Sequence, residues 1–398
     1  MKILRLIYDW PPPWDGLAPG PYELTNAQVK LGHTVTVFCG RWPKAGSVET
    51  PVGVSVYPFF RAPFQGTMML TTAVLMFFKY IFWRDDDENH VDIIHSHGHF
   101  GIWIYLHRFI LSKIFPWARE LKTPLVVHFH NTVAGRWKAA KDKDIDIKPV
   151  SKYLDWPLAK LSDKLAVKVA SACIFAGQDN LEDAINYYKA DRSKCFLVES
   201  GVNTGMFKPI GQEEFEKTRR DLNLDLYDKV VLNNGAMVER KNIHLLVEAL
   251  KFLPKEYKLM LVGPGDVLYL QKITDSIEVS KLKDRVIRVG YTPYKEIPVA
   301  FQAANIFVLP SGFEGFPKVV TQSLACGVPA LVSGFKAKDP IKGLYYLEKL
   351  EPEYIAQRIR EIVEGPREVD VGYIHEKFSW DMRARQLEVV YQKVLTKA

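Results

Sequence analysis

At 398 residues the chain exceeds one ordinary core, and its 47% hydrophobic and 25% charged content excludes a disordered or low-complexity polypeptide. The net charge of +7 and pI near 8.9 suit anionic partners such as nucleotides or acidic lipid headgroups, yet the charges are spread and no basic block points to nucleic acid. Cys39, Cys173, Cys195 and Cys326 lie far apart beside or within apolar runs, with no CxxC and no His/Cys metal spacing, so they read as buried hydrophobes in a reducing compartment.

The run Ile3 to Tyr8 reads as a first strand. Asp9 and a proline cluster follow too early for a signal peptide, which makes the cytoplasm the expected compartment. "YDWPPPWDGLAPGPYELTNAQVKLGH" lacks GxGxxG but sets glycines and prolines ahead of a helix expected from about Pro21 to Leu31, with Pro21 suited to the first turn. Strand-like runs recur at Thr34 to Cys39, Asp92 to His95, Leu125 to His130, Ala172 to Ala176 and Cys195 to Val198. Alternating with helical lengths, they predict a parallel sheet with crossover helices. Between them, residues 66–83 hold 13 apolar residues of 18 and one charge, Lys79. Three readings stay open for this segment: a half-buried helix, an interfacial helix on a membrane surface, or a span. "RDDDEN" ends it and reads as a solvated cap.

"GVNTGMFKPIGQEE" reads as a connector, with a boundary near Asn203 to Gly211. The strand pattern restarts at Val230 to Asn233, Leu259 to Val262, Val286 to Val289, Ile306 to Leu309 and Ala330 to Ser333. Two successive α/β domains are therefore expected, at 1–205 and 206–378. A C-terminal helix at 379–398 follows, capped by Ser379 and packing back on the body through Trp380, Ala384, Leu387, Tyr391 and Val394.

Parallel sheets bind ligands beyond the carboxyl ends of their strands, so the loops there are the candidate sites. "PSGFEGFPKVVTQSLACG" puts Glu314 in a loop, Pro317 at a first helical position and Gln322 on the helix; a carboxylate there can accept hydrogen bonds from sugar hydroxyls, or be an ordinary solvated charge. "NGAMVERKNIHLLVEAL" offers Gly235 for a tight turn and Arg240 with Lys241 at the mouth of a helix, which suits a diphosphate. "LVGPGD" adds Gly263 and Gly265, where backbone can approach a ligand. "DIIHSHGHF" and "VVHFHNT" end strands with His95, His97 and His130, a polar cluster on one side.

The whole chain resembles the glycosyltransferase family 4 enzymes of GT-B fold. The likeness is carried in order by "LGHTVTVF", "DIIHSHG", "VVHFH", "ESGVNTGMFKP", "NGAMVERKNIHLLVEAL", "LMLVGPGD", "VGYTPYKEIPVAFQAANIFVLPSGFEGFPKVVTQSLACGVPALVS" and "FSWDMRARQLEVVY". It implies two Rossmann-like domains facing across a cleft, with a donor nucleoside-diphosphate sugar, UDP- or GDP-linked, on the second and an acceptor on the first. The C-terminal helix crosses back to the first domain. Of the family's two carboxylates eight positions apart, the first, on donor-sugar hydroxyls, is matched by Glu314, with the backbone of Phe316, Pro317 and Lys318 beside it. The second, on the ribose, is here Gln322. The basic pair on the diphosphate is matched by Lys241 alone, because the usual Arg position is Ala236, with Arg240 a substitute from the next turn. His130 matches the histidine beside the reacting sugar carbon. Gly16 is half of the usual glycine pair, sixteen residues before Gly32. Tyr291, Gly263 and Gly265 are placed with the donor contacts, and His97 and Trp137 on the acceptor side. "KAKDPIKGL", after Ser333, lacks the family's glycine pair and the Glu that follows it.

The resemblance implies a retaining transfer from the nucleotide sugar with no cofactor and no enzymic nucleophile. No DxD-type carboxylate cluster stands in the loops after the strands, so a metal is not expected, and the apolar segment 66–83 motivates a glycan or lipid-linked acceptor. The alternative is a non-catalytic glycan- or lipid-binding protein that kept the scaffold, motivated by Ala236, Gln322 and the altered loop after Ser333. Another GT-B chemistry, such as epimerisation or phosphorolysis, is a third reading.

Overall fold

Long apolar runs buried on both faces form the centre of each sheet, as parallel strands covered by helices require. The computed structural model describes residues 1–14, 16–42, 46–62, 64, 67–84, 86, 89–142, 149–366 and 368–396. Among them the first sheet contains β1 (Lys2–Ile7), β2 (Thr34–Arg41), β3 (Val54–Phe60), β4 (Ile93–His97), β5 (Leu125–Phe129), β6 (Ala172–Phe175) and β7 (Cys195–Leu197). Their order is β3-β2-β1-β4-β5-β6-β7, and every pairing is parallel. The second sheet contains β8 (Lys229–Asn234), β9 (Tyr257–Val262), β10 (Val286–Gly290), β11 (Ile306–Leu309), β12 (Ala330–Val332) and β13 (Leu344–Tyr346). Its order is β10-β9-β8-β11-β12-β13, again parallel. Strand order reverses between β1 and β4 in one sheet and between β8 and β11 in the other, the switch points where such sheets open a crevice.

Two strands escape the sequence reading, β3 and β13, and both are sheet edges. β3 carries Pro58 and is largely open to solvent, while β13 has three residues. An edge strand has one neighbour only, which leaves β3 open to solvent and tolerant of proline, and β13 is too short to stand out in the sequence.

The chain divides into two compact units, Met1–Ser200 with Trp380–Ala398, and Gly201–Ser379. The C-terminal helix Trp380–Leu395 thus belongs to the first unit. Its Leu387, Val390 and Tyr391 join that unit's core, and Asp381 lies 3.9 Å from Lys30 at the end of the helix Pro19–Lys30. Of the segment 66–83, Gly66 lies outside the described residues. The remainder makes a short turn and the helix Thr72–Trp83, about 18 Å long at 1.5 Å per residue. Met76, Tyr80 and Trp83 face the core, while Phe78 is 54% and Phe82 76% exposed. No helix among the described residues is long and apolar enough to cross a membrane, so the spanning reading falls.

Candidate active site

In the second unit, the loops after β8, β9, β11 and β12 come together because glycines let them. Gly235, directly after β8, has φ +134°, and a Cβ built there would stand 2.5 Å from Lys241 Nζ. The missing side chain is the seat of the ammonium. Gly263, after β9, has φ +124°, and a Cβ would meet the Gly235 carbonyl at 2.4 Å; Gly334, after β12, would meet that of Ser311 at 2.6 Å. Gly265 lets the β8 and β9 loops close on each other, with the Met237 N–H donating to the Pro264 carbonyl at 2.8 Å.

Lys241 is buried at 8% exposure. Burial lowers its pKa, Glu314 opposes that shift and Arg240 adds to it. Glu314, its side chain 13% exposed, receives Arg240 Nη1 at 2.6 Å and the Ser311 hydroxyl at 2.9 Å, both on Oε1. Arg240 also donates to the Phe313 carbonyl at 2.9 Å. Arg240, which the sequence reading sends toward a diphosphate, thus holds the Glu314 loop through Nη1. Two donors on Oε1 fix the carboxylate and turn Oε2 into the oxygen for a further donor.

The helix Lys318–Ala325 begins one residue later than expected, with Pro317 at its N-cap. The Phe316 ring is buried, stacked on Phe378 at 5.7 Å, so its backbone is the part that can meet a ligand. Gln322 lies on the buried face of that helix at 6% exposure, whereas Ala236 is exposed. Tyr291, 51% exposed, follows the edge strand β10 and lies two strands away from β8.

In the first unit the switch point between β1 and β4 holds a buried polar network. Arg5 sits on β1 in register with His95 of β4, and His97 pairs in register with His128 of β5. The four imidazoles of His95, His97, His128 and His130 stack, with centroids 4.5 Å apart for His95–His97 and 4.6 Å for His128–His130. Arg5 Nη1 lies 2.9 Å from His97 Nε2, and His97 Nδ1 lies 3.0 Å from His130 Nε2. Arg5 Nη2 also donates to Gln28, whose amide donates to the Tyr391 hydroxyl at 3.1 Å, which in turn lies 2.5 Å from His95 Nδ1. Burial, with neighbouring cationic groups, holds His95, His97 and His128 far below the usual imidazole pKa, so they are neutral. Burial lowers Arg5 to about 10, which leaves it charged at neutral pH.

His95, His97 and His128 bring ring nitrogens within 4.8 Å of one another, a spacing a metal could use. Both nitrogens of His97 and Nδ1 of His95 are already engaged, and a guanidinium stands against the group. That donor set does not fit a cation.

Beside the network, His97 and His130 line a pocket with Pro21, Glu199, Trp380 and Arg383. Arg383, almost wholly buried, pairs with Glu199 at 3.3 Å. Trp137 is not part of this lining; it packs on Trp156 at 5.1 Å. Gly16 has φ +53° and stands three residues ahead of the helix Pro19–Lys30; its neighbour Asp15 lies outside the described residues. Gly20, Pro21 and Leu24, inside that helix, line the pocket. The sequence reading missed Arg5, Gln28, Ser311 and Gly334. Arg5 had a signal: a full charge in the middle of "KILRLI", apolar on both sides of it after Lys2, must be buried and therefore partnered.

The family model for glycosyl transferases group 1 matches residues 214–370, and that for glycosyltransferase family 4 matches residues 14–205. An uncharacterized glycosyltransferase of Methanocaldococcus jannaschii is 24% identical, over 98% of each chain. Among solved structures, sucrose-phosphate synthase from Thermosynechococcus elongatus superposes over 100% of both chains with a TM-score of 0.79 at 18% identity. Anabaena HepE in complex with UDP-glucose does so over 100% of both chains with a TM-score of 0.71 at 17% identity. The two matches together span both units of a chain built on two parallel sheets: it belongs to glycosyltransferase family 4 and is a glycosyltransferase of GT-B fold.

Proposed function

We propose that this enzyme moves a sugar from a UDP- or GDP-linked donor to a hydroxyl of a glycan or lipid-linked acceptor, with retention at the anomeric carbon and without a metal or cofactor. The observation that carries the reading is the Lys241 ammonium, buried over Gly235 and within electrostatic reach of the Glu314 carboxylate, whose Oε1 is tied down by Arg240 and Ser311. Lys241 meets the diphosphate. Held in a dry site, it stabilises the charge that develops as the bond between sugar and phosphate breaks. Glu314 Oε2 accepts hydroxyls of the donor sugar, beside the backbone of Phe316, Pro317 and Lys318, and Gln322 holds the ribose. Gly263, Gly265 and Tyr291 complete the nucleotide side. The acceptor oxygen bonds to the anomeric carbon on the face the diphosphate leaves, and the departing phosphate oxygen takes the acceptor proton. No enzymic nucleophile is required, and side-chain cations rather than a divalent ion answer the diphosphate charge. His130 is assigned to the reacting sugar carbon, Gly16 and the start of the helix Pro19–Lys30 to the diphosphate, and His97 and Trp137 to the acceptor. UDP-glucose in the Anabaena structure supports the choice of donor class.

The exposed Phe78 and Phe82, beside Lys79, support peripheral contact with an anionic membrane on the cytoplasmic face, which suits a lipid-linked acceptor. Transfer is measured with nucleotide sugars and a lipid-linked acceptor extract, in the wild type and in Glu314→Ala. We expect Glu314→Ala to abolish turnover while unfolding at the wild-type temperature; full activity in that variant overturns the site. Thermal shift with UDP and GDP gives a separate check, since no stabilisation by either overturns the donor assignment in favour of a binding protein.

A further inference from the structure

The buried network fixes which nitrogen of His130 carries hydrogen. A guanidinium has five N–H donors and no acceptor, so the Arg5 contact at 2.9 Å requires a lone pair on His97 Nε2. His97 is neutral, and its one hydrogen therefore sits on Nδ1, where it is donated to His130 Nε2 at 3.0 Å. His130 Nε2 accepts, so the hydrogen of a neutral His130 is on Nδ1. Gln28 reinforces the polarity: it accepts from Arg5 through its oxygen, donates onward to Tyr391, and so holds the guanidinium from a second side. All of these groups lie within the first unit.

We infer that Arg5 and His97 are positioning residues that lock His130 as the Nδ1–H tautomer, so that it does not serve the reaction as a base. The inference rests on the proposed function, which puts His130 at the reacting sugar, and it sharpens that reading. With Nε2 accepting from His97 and Nδ1 protonated, a neutral His130 has no lone pair left to take the acceptor proton. That matches a transfer in which the departing phosphate oxygen accepts the proton. Burying a cation and several imidazoles in a central crevice is costly, and a fixed tautomer is what the arrangement provides.

Arg5 and His97 are equally buried, but removing Arg5 takes a cation from two partners whereas His97 can be replaced by a ring of similar size, so the test uses His97. His97→Phe keeps a stacked ring without nitrogen, whereas His97→Asn can place an amide N–H near the former Nδ1. In full-length protein labelled with 15N-histidine, long-range 1H–15N spectra report each tautomer, with His130 assigned by its loss in His130→Ala. We expect Nδ1–H for His130 in the wild type, Nε2–H or a mixture in His97→Phe, and Nδ1–H again in His97→Asn. The kcat should fall about 100-fold in His97→Phe with KM little changed, and recover most of that loss in His97→Asn. Nε2–H on His130 in the wild type, or wild-type kcat in His97→Phe, overturns the inference alone. Full activity in His130→Ala instead removes the underlying placement of His130.

Discussion

Gly235→Ala is the sharpest perturbation the structure offers, because it adds one methyl group against one functional atom. The φ of +134° is a conformation essentially reserved for glycine, which sets a strain of about 1–3 kcal/mol. In a domain of this size each kcal/mol lowers Tm by about 2–4 °C, so the variant should remain folded at assay temperature. The new Cβ would stand 2.5 Å from Lys241 Nζ, the far end of a flexible side chain, so the ammonium yields while the backbone holds. Losing one preorganised donor at a developing charge typically lowers kcat 10²- to 10³-fold, or about 2.7–4 kcal/mol. The assay is kcat at saturating donor, together with nucleotide affinity, for Gly235→Ala, Lys241→Ala and the double variant. If displacement of Lys241 is the mechanism, Gly235→Ala adds less than about threefold in the Lys241→Ala background. Gly32→Ala, at φ +82° with nothing within 4 Å of the new Cβ, is the control for strain without displacement. Additive losses in the double variant, or wild-type kcat in Gly235→Ala, refute the reasoning.

Burial pushes the Asp163 carboxyl up to about 7, against the Val133 N–H and Tyr188 hydroxyl, each 3.0 Å from Oδ2. The folded state thus keeps a proton that the unfolded chain releases near pH 4, so stability falls as pH rises from about 4 to 7 and levels off above. Asp163→Asn should flatten that decline in Tm between pH 5 and 8, and an unchanged slope counts against it. Phe78→Ser with Phe82→Ser should abolish co-sedimentation with anionic vesicles while leaving kcat on a water-soluble acceptor unchanged; retained binding refutes the membrane contact. Gln322→Glu alone should weaken UDP or GDP binding about tenfold, and Ala236→Arg in the same chain should restore it. Additive calorimetric effects of the two changes refute that pairing.

The fold was legible because the central strands are buried on both faces and therefore read as largely apolar runs, from "LVVHF" to "IFVL". Two of the four edge strands were not, since β3 is largely open to solvent and β13 has only three residues. At the site, positions followed from spacing but partners did not. Glu314 and Arg240 are 74 residues apart, and only the closeness of the β8 and β11 loops, with Gly312 N–H donating to the Arg240 carbonyl at 2.8 Å, shows that they meet. The histidines were visible as a cluster at strand ends, yet the polarity of their hydrogen bonds depends on Arg5, which sequence distance separates from His97 by 92 residues. A charge in a central strand announces that it has a partner without naming it.

The departures at Ala236 and Gln322 change the charge of the site in opposite senses. The family resemblance implies an arginine at the first position and a carboxylate at the second, so together the two changes remove one charge of each sign. Gln322 is buried at 6% exposure, where an ionised carboxylate without a compensating cation would cost several kcal/mol, while an amide can bond hydroxyls with no charge to desolvate. Arg240 sets its Nη1 on Glu314 and the Phe313 carbonyl, so Lys241, Arg240 and Glu314 together carry one excess positive charge. Under the proposed function that charge, with the close backbone that Gly235, Gly263 and Gly334 permit, is what meets a donor's diphosphate. The Lys241 ammonium depends on the seat that the missing methyl at Gly235 supplies.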